Sequence, residues 1–172
     1  MSSRTVLHAG PAVGFDQPFE MLAACHERVR RTLDLLQRLQ AHVQSHGADA
    51  QAQSAATDVL RYFDIAGPAH HEDEERHVLP RLREAGEATL ADRLAADHRE
   101  MTRLWTSIRA PLQSWAAGQP ALLDTDLLAA YSRSYEDHLS VEDARAFAIA
   151  RAATEPSALK PMGEEMAARR QR

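Results

Sequence analysis

A single cysteine, Cys25, is all the chain has among its 172 residues. It has no intrachain partner, which excludes a disulfide framework and a cysteine-rich zinc site. Aromatic residues are scarce at 5%, and the 44% hydrophobic content comes largely from Ala and Leu. No run approaches the roughly 18 apolar residues of a membrane span. A basic surplus is also missing: the formal net charge of −5 gives no electrostatic case for a nucleic-acid partner. The opening MSSRTVLHAGPAVGF lacks a long apolar stretch behind a basic cluster, so no secretory leader is evident. Strand-like alternation with period two is absent. These absences together lead to the expectation of a cytoplasmic protein with neither a membrane nor a nucleic acid as partner.

The chain is rich in Ala, Leu, Arg and Glu, all good helix formers. Residues 1–16, with Gly10, Pro11 and Gly14, read as an irregular arm, with Asp16 as a plausible cap and Pro18 tolerated in the first turn. Helices are predicted over about 17–45, 51–85, 87–117 and 124–153. Gly47, Gly86 and Gly118-Gln119-Pro120 separate them, and Asp124 or Thr125 caps the last. Gly67-Pro68 should kink or split the second helix, and Pro111 can bend the third. Pro156 ends the pattern, and residues 154–172 hold a short amphipathic segment and a basic tail. Short links between long amphipathic helices predict an all-α, up-down-up-down antiparallel four-helix bundle over 17–153.

Each of the four helices carries one histidine inside its apolar stripe. His26 lies among Leu22, Val29 and Leu33; His98 among Leu94, Met101 and Trp105. Phe63 and Ala66 precede His70, and Tyr131 and Val141 flank His138, at helical spacing. Two of the helices add a glutamate one turn on: His70 with Glu74, and His138 with Glu142. A lone apolar-face histidine is usually a hydrogen-bonded core residue, and an acidic run such as Glu72 to Glu75 is usually a solvated face. The combination differs, because buried glutamate is rare unless paired or metal-bound. Four imidazoles and two carboxylates aimed at one bundle interior form a ligand set for two metal ions, suited to iron, manganese or zinc.

The carrying residues are His26 in AACHERV, the stretch HHEDEERHVLPRL at 70–82, His98 in AADHREM, and HLSVEDARAF at 138–147. In these the chain resembles the hemerythrin-like (HHE cation-binding) family over about residues 17–153. The resemblance implies a non-heme centre of two iron ions with an oxo, hydroxo or water bridge. It assigns His26 and His70 to one iron and His98 and His138 to the other, with Glu74 and Glu142 bridging. It also implies a small ligand such as O2, NO or peroxide, to be bound, sensed or reacted with. The alternative is a di-iron enzyme, a peroxidase or oxidase, or an iron donor in the repair of damaged iron centres. A protein partner or a homodimer is compatible with either. Oxygen-carrying members have a further histidine one turn after the third-helix ligand, where this chain has Thr102, and an Asp where it has Asp143 beside Glu142. One imidazole is therefore expected to be missing, its position open, water-filled or taken by another group.

Several neighbours carry their own expectations. His77 lies near the face of His70 and Glu74 and is a candidate ligand or supporting group. His71, like Cys25 beside His26, should point aside, but the family sometimes places an acidic ligand there, so His71 is the second candidate for the missing position. Cys25 reads as a small buried residue, Tyr131 and Trp105 as core, and His8, His42 and His46 as surface. Arg145 either pairs with a ligand carboxylate or sits exposed. Met162 and Met166 should dock the C-terminal segment, and Arg169, Arg170 and Arg172 read as a solubilising end.

Overall fold

The computed structural model describes residues 13–171; the expected arm up to Ala12, with His8, and Arg172 lie outside them. Helix α1 runs Pro18–His46. The second bundle helix is built from α2 (Ala50–Arg61), a π turn (Tyr62–Ala66), α3 (Gly67–His77) and α4 (Leu79–Glu84). The third is α5 (Ala88–Ala116), and the fourth is α6 (Thr125–Val141), a π turn (Glu142–Ala146) and α7 (Phe147–Ala152). Helix α8 (Pro156–Arg169) closes the chain. Among the described residues there is no strand, and no helix is long and apolar enough to cross a membrane. The fold is all-α.

The terminators follow from local chemistry. Gly47 and Gly86 stop the first two bundle helices with φ of 72° and 83°, a left-handed turn that a side chain would strain. Asp124 caps α6 by accepting from the backbone N–H groups of Asp126 and Leu127. Asp16, in contrast, does not cap α1: Gln17 holds that position without a side-chain hydrogen bond, and Pro18 opens the helix. Pro111 leaves α5 continuous to Ala116.

Gly67-Pro68 acts through a π turn rather than a split. Pro68 has no N–H to offer the carbonyl four residues back. The backbone absorbs this by widening one turn, and the Gly67 N–H reaches back five residues to the Tyr62 carbonyl. A second π turn begins at Glu142 itself, closed by the Phe147 N–H on the Glu142 carbonyl, with no proline to mark it.

The apolar core falls into two halves. One contains Val29, Leu36, Phe63, Met101, Ile108 and Trp115. The other contains Leu22, Val78, Leu82, Leu94, Phe147 and Met166. Between them, at the level where Leu22 gives way to Val29 and Leu94 to Met101, lies a layer of histidine and glutamate. Met162 and Met166 of α8 are buried in the second half, so the C-terminal segment docks on the bundle as its pattern implies.

Candidate metal centre

The polar layer is built by α1, α3, α5, α6 and the π turn after α6. His26, His70, His98 and His138 are 1–3% exposed, and Glu74 and Glu142 are fully buried. All six sequence-selected residues therefore meet in the bundle interior. Among the described residues they fall into two groups, His26, His70, Glu74 and Glu142 in one and His71, Glu74, His98 and His138 in the other. Each group offers its donor atoms within 4.8 Å of one another.

The two carboxylates straddle these groups. Glu74 Oε1 lies 2.9 Å from His70 Nε2, and its other oxygen, Oε2, lies 3.3 Å from His98 Nε2. Glu142 Oε2 lies 3.2 Å from His26 Nε2, and Oε1 lies 3.2 Å from His138 Nε2. Each glutamate thus turns one oxygen to each side. His98 Nε2 and His138 Nε2 face each other at 3.1 Å, an approach that leaves both lone pairs pointing into the same space when both rings are neutral.

Outer carboxylates orient three of the rings. His26 Nδ1 donates to Asp143 Oδ1 at 2.7 Å, His98 Nδ1 to Glu75 Oε1 at 3.0 Å, and His138 Nδ1 to Asp97 Oδ2 at 3.3 Å. A proton fixed on Nδ1 leaves Nε2 free to face inward, the usual arrangement behind a metal-bound imidazole. Asp143, five residues after His138, thus serves His26 from outside the layer, and Glu142 takes the inner place.

The donor set fits a cation. His26 Nε2, both His70 nitrogens and all four oxygens of Glu74 and Glu142 are buried without a hydrogen-bond partner. Protein interiors rarely leave such groups unpaired, because each costs about 1–3 kcal/mol. Without a metal, the carboxylates draw protons onto the rings. Burial lowers the His26 pKa, but the facing carboxylates of Glu142 and Glu74, which favour the protonated ring, push it up to about 9. Burial opposes His138 likewise, and Asp97 with Glu142 raises it to about 10. Glu74 is held well below its usual value despite burial, chiefly by His70. His71 moves the other way: burial and the adjacent His98 keep it neutral, a state ready to donate a lone pair.

The model of the hemerythrin HHE cation-binding domain matches residues 17–150. This chain belongs to that family. It is also 30% identical to an uncharacterized protein of Haemophilus influenzae over 159 residues, covering 91% of this chain and 92% of the relative. The family binds metal cations, and the convergent His and Glu side chains supply a place for them.

Against that family background, His71 is the main correction. It does not point aside but joins Glu74, His98 and His138. The geometry explains why. At about 100° per residue, Glu74 falls roughly 40° from His70 and 60° from His71, between the two. A single direction toward the site makes adjacent residues exclusive; a two-sided site around Glu74 admits both. Helix α3 thus brings a third imidazole to the side of His98 and His138, and the Thr102 hydroxyl donates to the His98 carbonyl.

Other neighbours separate from the centre. His77 turns to α8, with Nε2 2.6 Å from Glu165 Oε2. Arg145 donates to Glu87 at the surface, not to a buried carboxylate. Cys25 is only half-buried; its thiol donates to the Met21 sulfur at 3.6 Å. Burial pushes the Cys25 pKa up, but the neighbouring His70 brings it below its ordinary value. The acidic run is not a solvated face throughout, since Asp73 and Glu74 are both fully buried. Arg169 and Arg170 are not a free basic end: they reach Asp73 at 2.5 and 2.6 Å.

Proposed function

We propose that the chain holds a non-heme di-iron centre that binds, senses or reacts with a small molecule such as O2, NO or peroxide. The observation that carries this reading is the pair of straddling glutamates, with one oxygen of each turned to each group of imidazoles and none of the four oxygens otherwise partnered. His26 and His70 would hold one ion; His71, His98 and His138 would hold the other; Glu74 and Glu142 would bridge them. Their two negative charges offset part of the charge of two divalent ions inside an apolar bundle. Mixed imidazole and carboxylate donors suit iron. Iron bound there would supply reversible redox chemistry and positions for an added ligand.

The chain's own part is to hold and to exclude. Asp143, Glu75 and Asp97 keep His26, His98 and His138 in one tautomer. The two apolar core halves close the layer at its two ends along the bundle. The donor sets are unequal: two imidazoles on the His26 side, three on the His71 side. With one imidazole fewer, the His26 side would keep a free coordination position for an incoming small ligand.

Anaerobic ferrous protein titrated with O2, NO and H2O2 in separate runs tests this reading. A saturable absorption change with at least one of them, abolished in Glu74→Gln, is expected. Full iron content with no change on any of the three would overturn it.

A further inference from the structure

A cavity of about 400 Å³ lies against the metal centre on its three-imidazole side, touching His71 and His98. Its floor is formed by Phe63, Trp105, Tyr131 and Tyr135. The His71 ring continues that surface, lying 12° from the plane of His98 and 25° from that of Tyr135. The mouth carries Glu72, Glu75, Arg99 and the Thr102 side chain.

Size, position and chemistry each say what belongs there. A diatomic or peroxide needs about the space of a water molecule, roughly 30 Å³. The cavity is an order of magnitude larger and falls among pockets of about 300–1,000 Å³ that hold organic ligands. It opens beside His71 and His98 and is not lined by His26 or His70. Its occupant is thus a second molecule that contacts the histidines from outside. Aromatic walls favour a stacked ring. An anion would meet Glu72 and Glu75 at the mouth. A cation would meet Arg99, and the two carboxylates beside it are already held by Arg76 and the His98 ring.

We propose that this cavity binds a small neutral aromatic molecule of the phenol class, its ring against Tyr135 and His71 and its hydroxyl toward the polar mouth. The molecule's place beside a metal centre rests on the reading above; the binding itself requires no metal.

The chain provides its own reporter. Trp105 lines the cavity and donates its indole N–H to Asp64 at 2.9 Å, whereas Trp115 lies apart and donates to the Ala121 carbonyl at 3.1 Å. Phenol is titrated into metal-free and zinc-loaded protein while the two indole N–H resonances are followed by NMR, with zinc content measured in parallel. A saturable shift of the Trp105 resonance alone is expected, weakened at least tenfold in Thr102→Trp, which fills the mouth. Equal movement of both resonances, movement of neither, or an unchanged affinity in a folded Thr102→Trp overturns the proposal. Should that variant unfold, the comparison of the two indoles in the unaltered chain decides. A selective shift in protein that takes up no zinc sustains the pocket and counts against the metal centre alone.

Discussion

Replacing Glu74 by Gln keeps the side chain's size but removes the charge that faces both groups of imidazoles. The expected result is a fall from two metals per chain to one or fewer with helicity unchanged, read by elemental analysis and circular dichroism. Asp143→Asn is milder, because it loosens His26 without removing a donor, and a metal affinity roughly 10- to 100-fold weaker is expected from competition titration. Protons and metal compete for the same lone pairs. In metal-free protein the folded pKa values of His26 and His138 are raised to about 9 and about 10. Their contribution to stability is therefore full below about pH 6.5, the unfolded value, and is lost as pH rises through 9 to 10. The thermal midpoint of metal-free protein should fall across that window, and metal uptake at pH 7 should release protons to a weakly buffered medium. At this scale the spacing of His70 with Glu74 and of His138 with Glu142 made the inward-facing set legible, because residues four apart share a helical face. His71 was only a lesser candidate under the same rule, which treats the site as one direction when it has two sides.

At the scale of elements, α8 is tied to α3 by charge. Asp73 has no exposed surface, and Arg169 and Arg170 hold it from the end of α8. The double variant Arg169→Ala, Arg170→Ala leaves a buried carboxylate unpaired, and a loss of roughly 3 kcal/mol is expected in a urea titration, the low end for such a change because Arg170 still meets water. Wild-type stability in that double variant would show α8 to be an ornament on the bundle. Composition could not reveal this clamp: three arginines at the end of a sequence do not say which buried acid they will meet. The helices themselves were legible from apolar periodicity and from Gly and Pro punctuation. The π turn at Glu142 was not, since no residue there lacks a donor or forces a bend.

At the scale of the whole molecule, a charged layer divides the apolar core, and its orphaned atoms give the metal-free fold a weak middle. Metal that binds only the folded chain stabilises it by mass action, by about 4 kcal/mol when free metal exceeds its dissociation constant a thousandfold. A clear rise in thermal midpoint on metal loading, reversed by a chelator, is expected in calorimetry. The number of ions is the most direct reading of the two-sided centre. Protein reconstituted anaerobically with ferrous iron, freed of excess and assayed for iron per chain should contain two. One iron per chain, or none, would contradict a centre in which Glu74 and Glu142 each serve two ions.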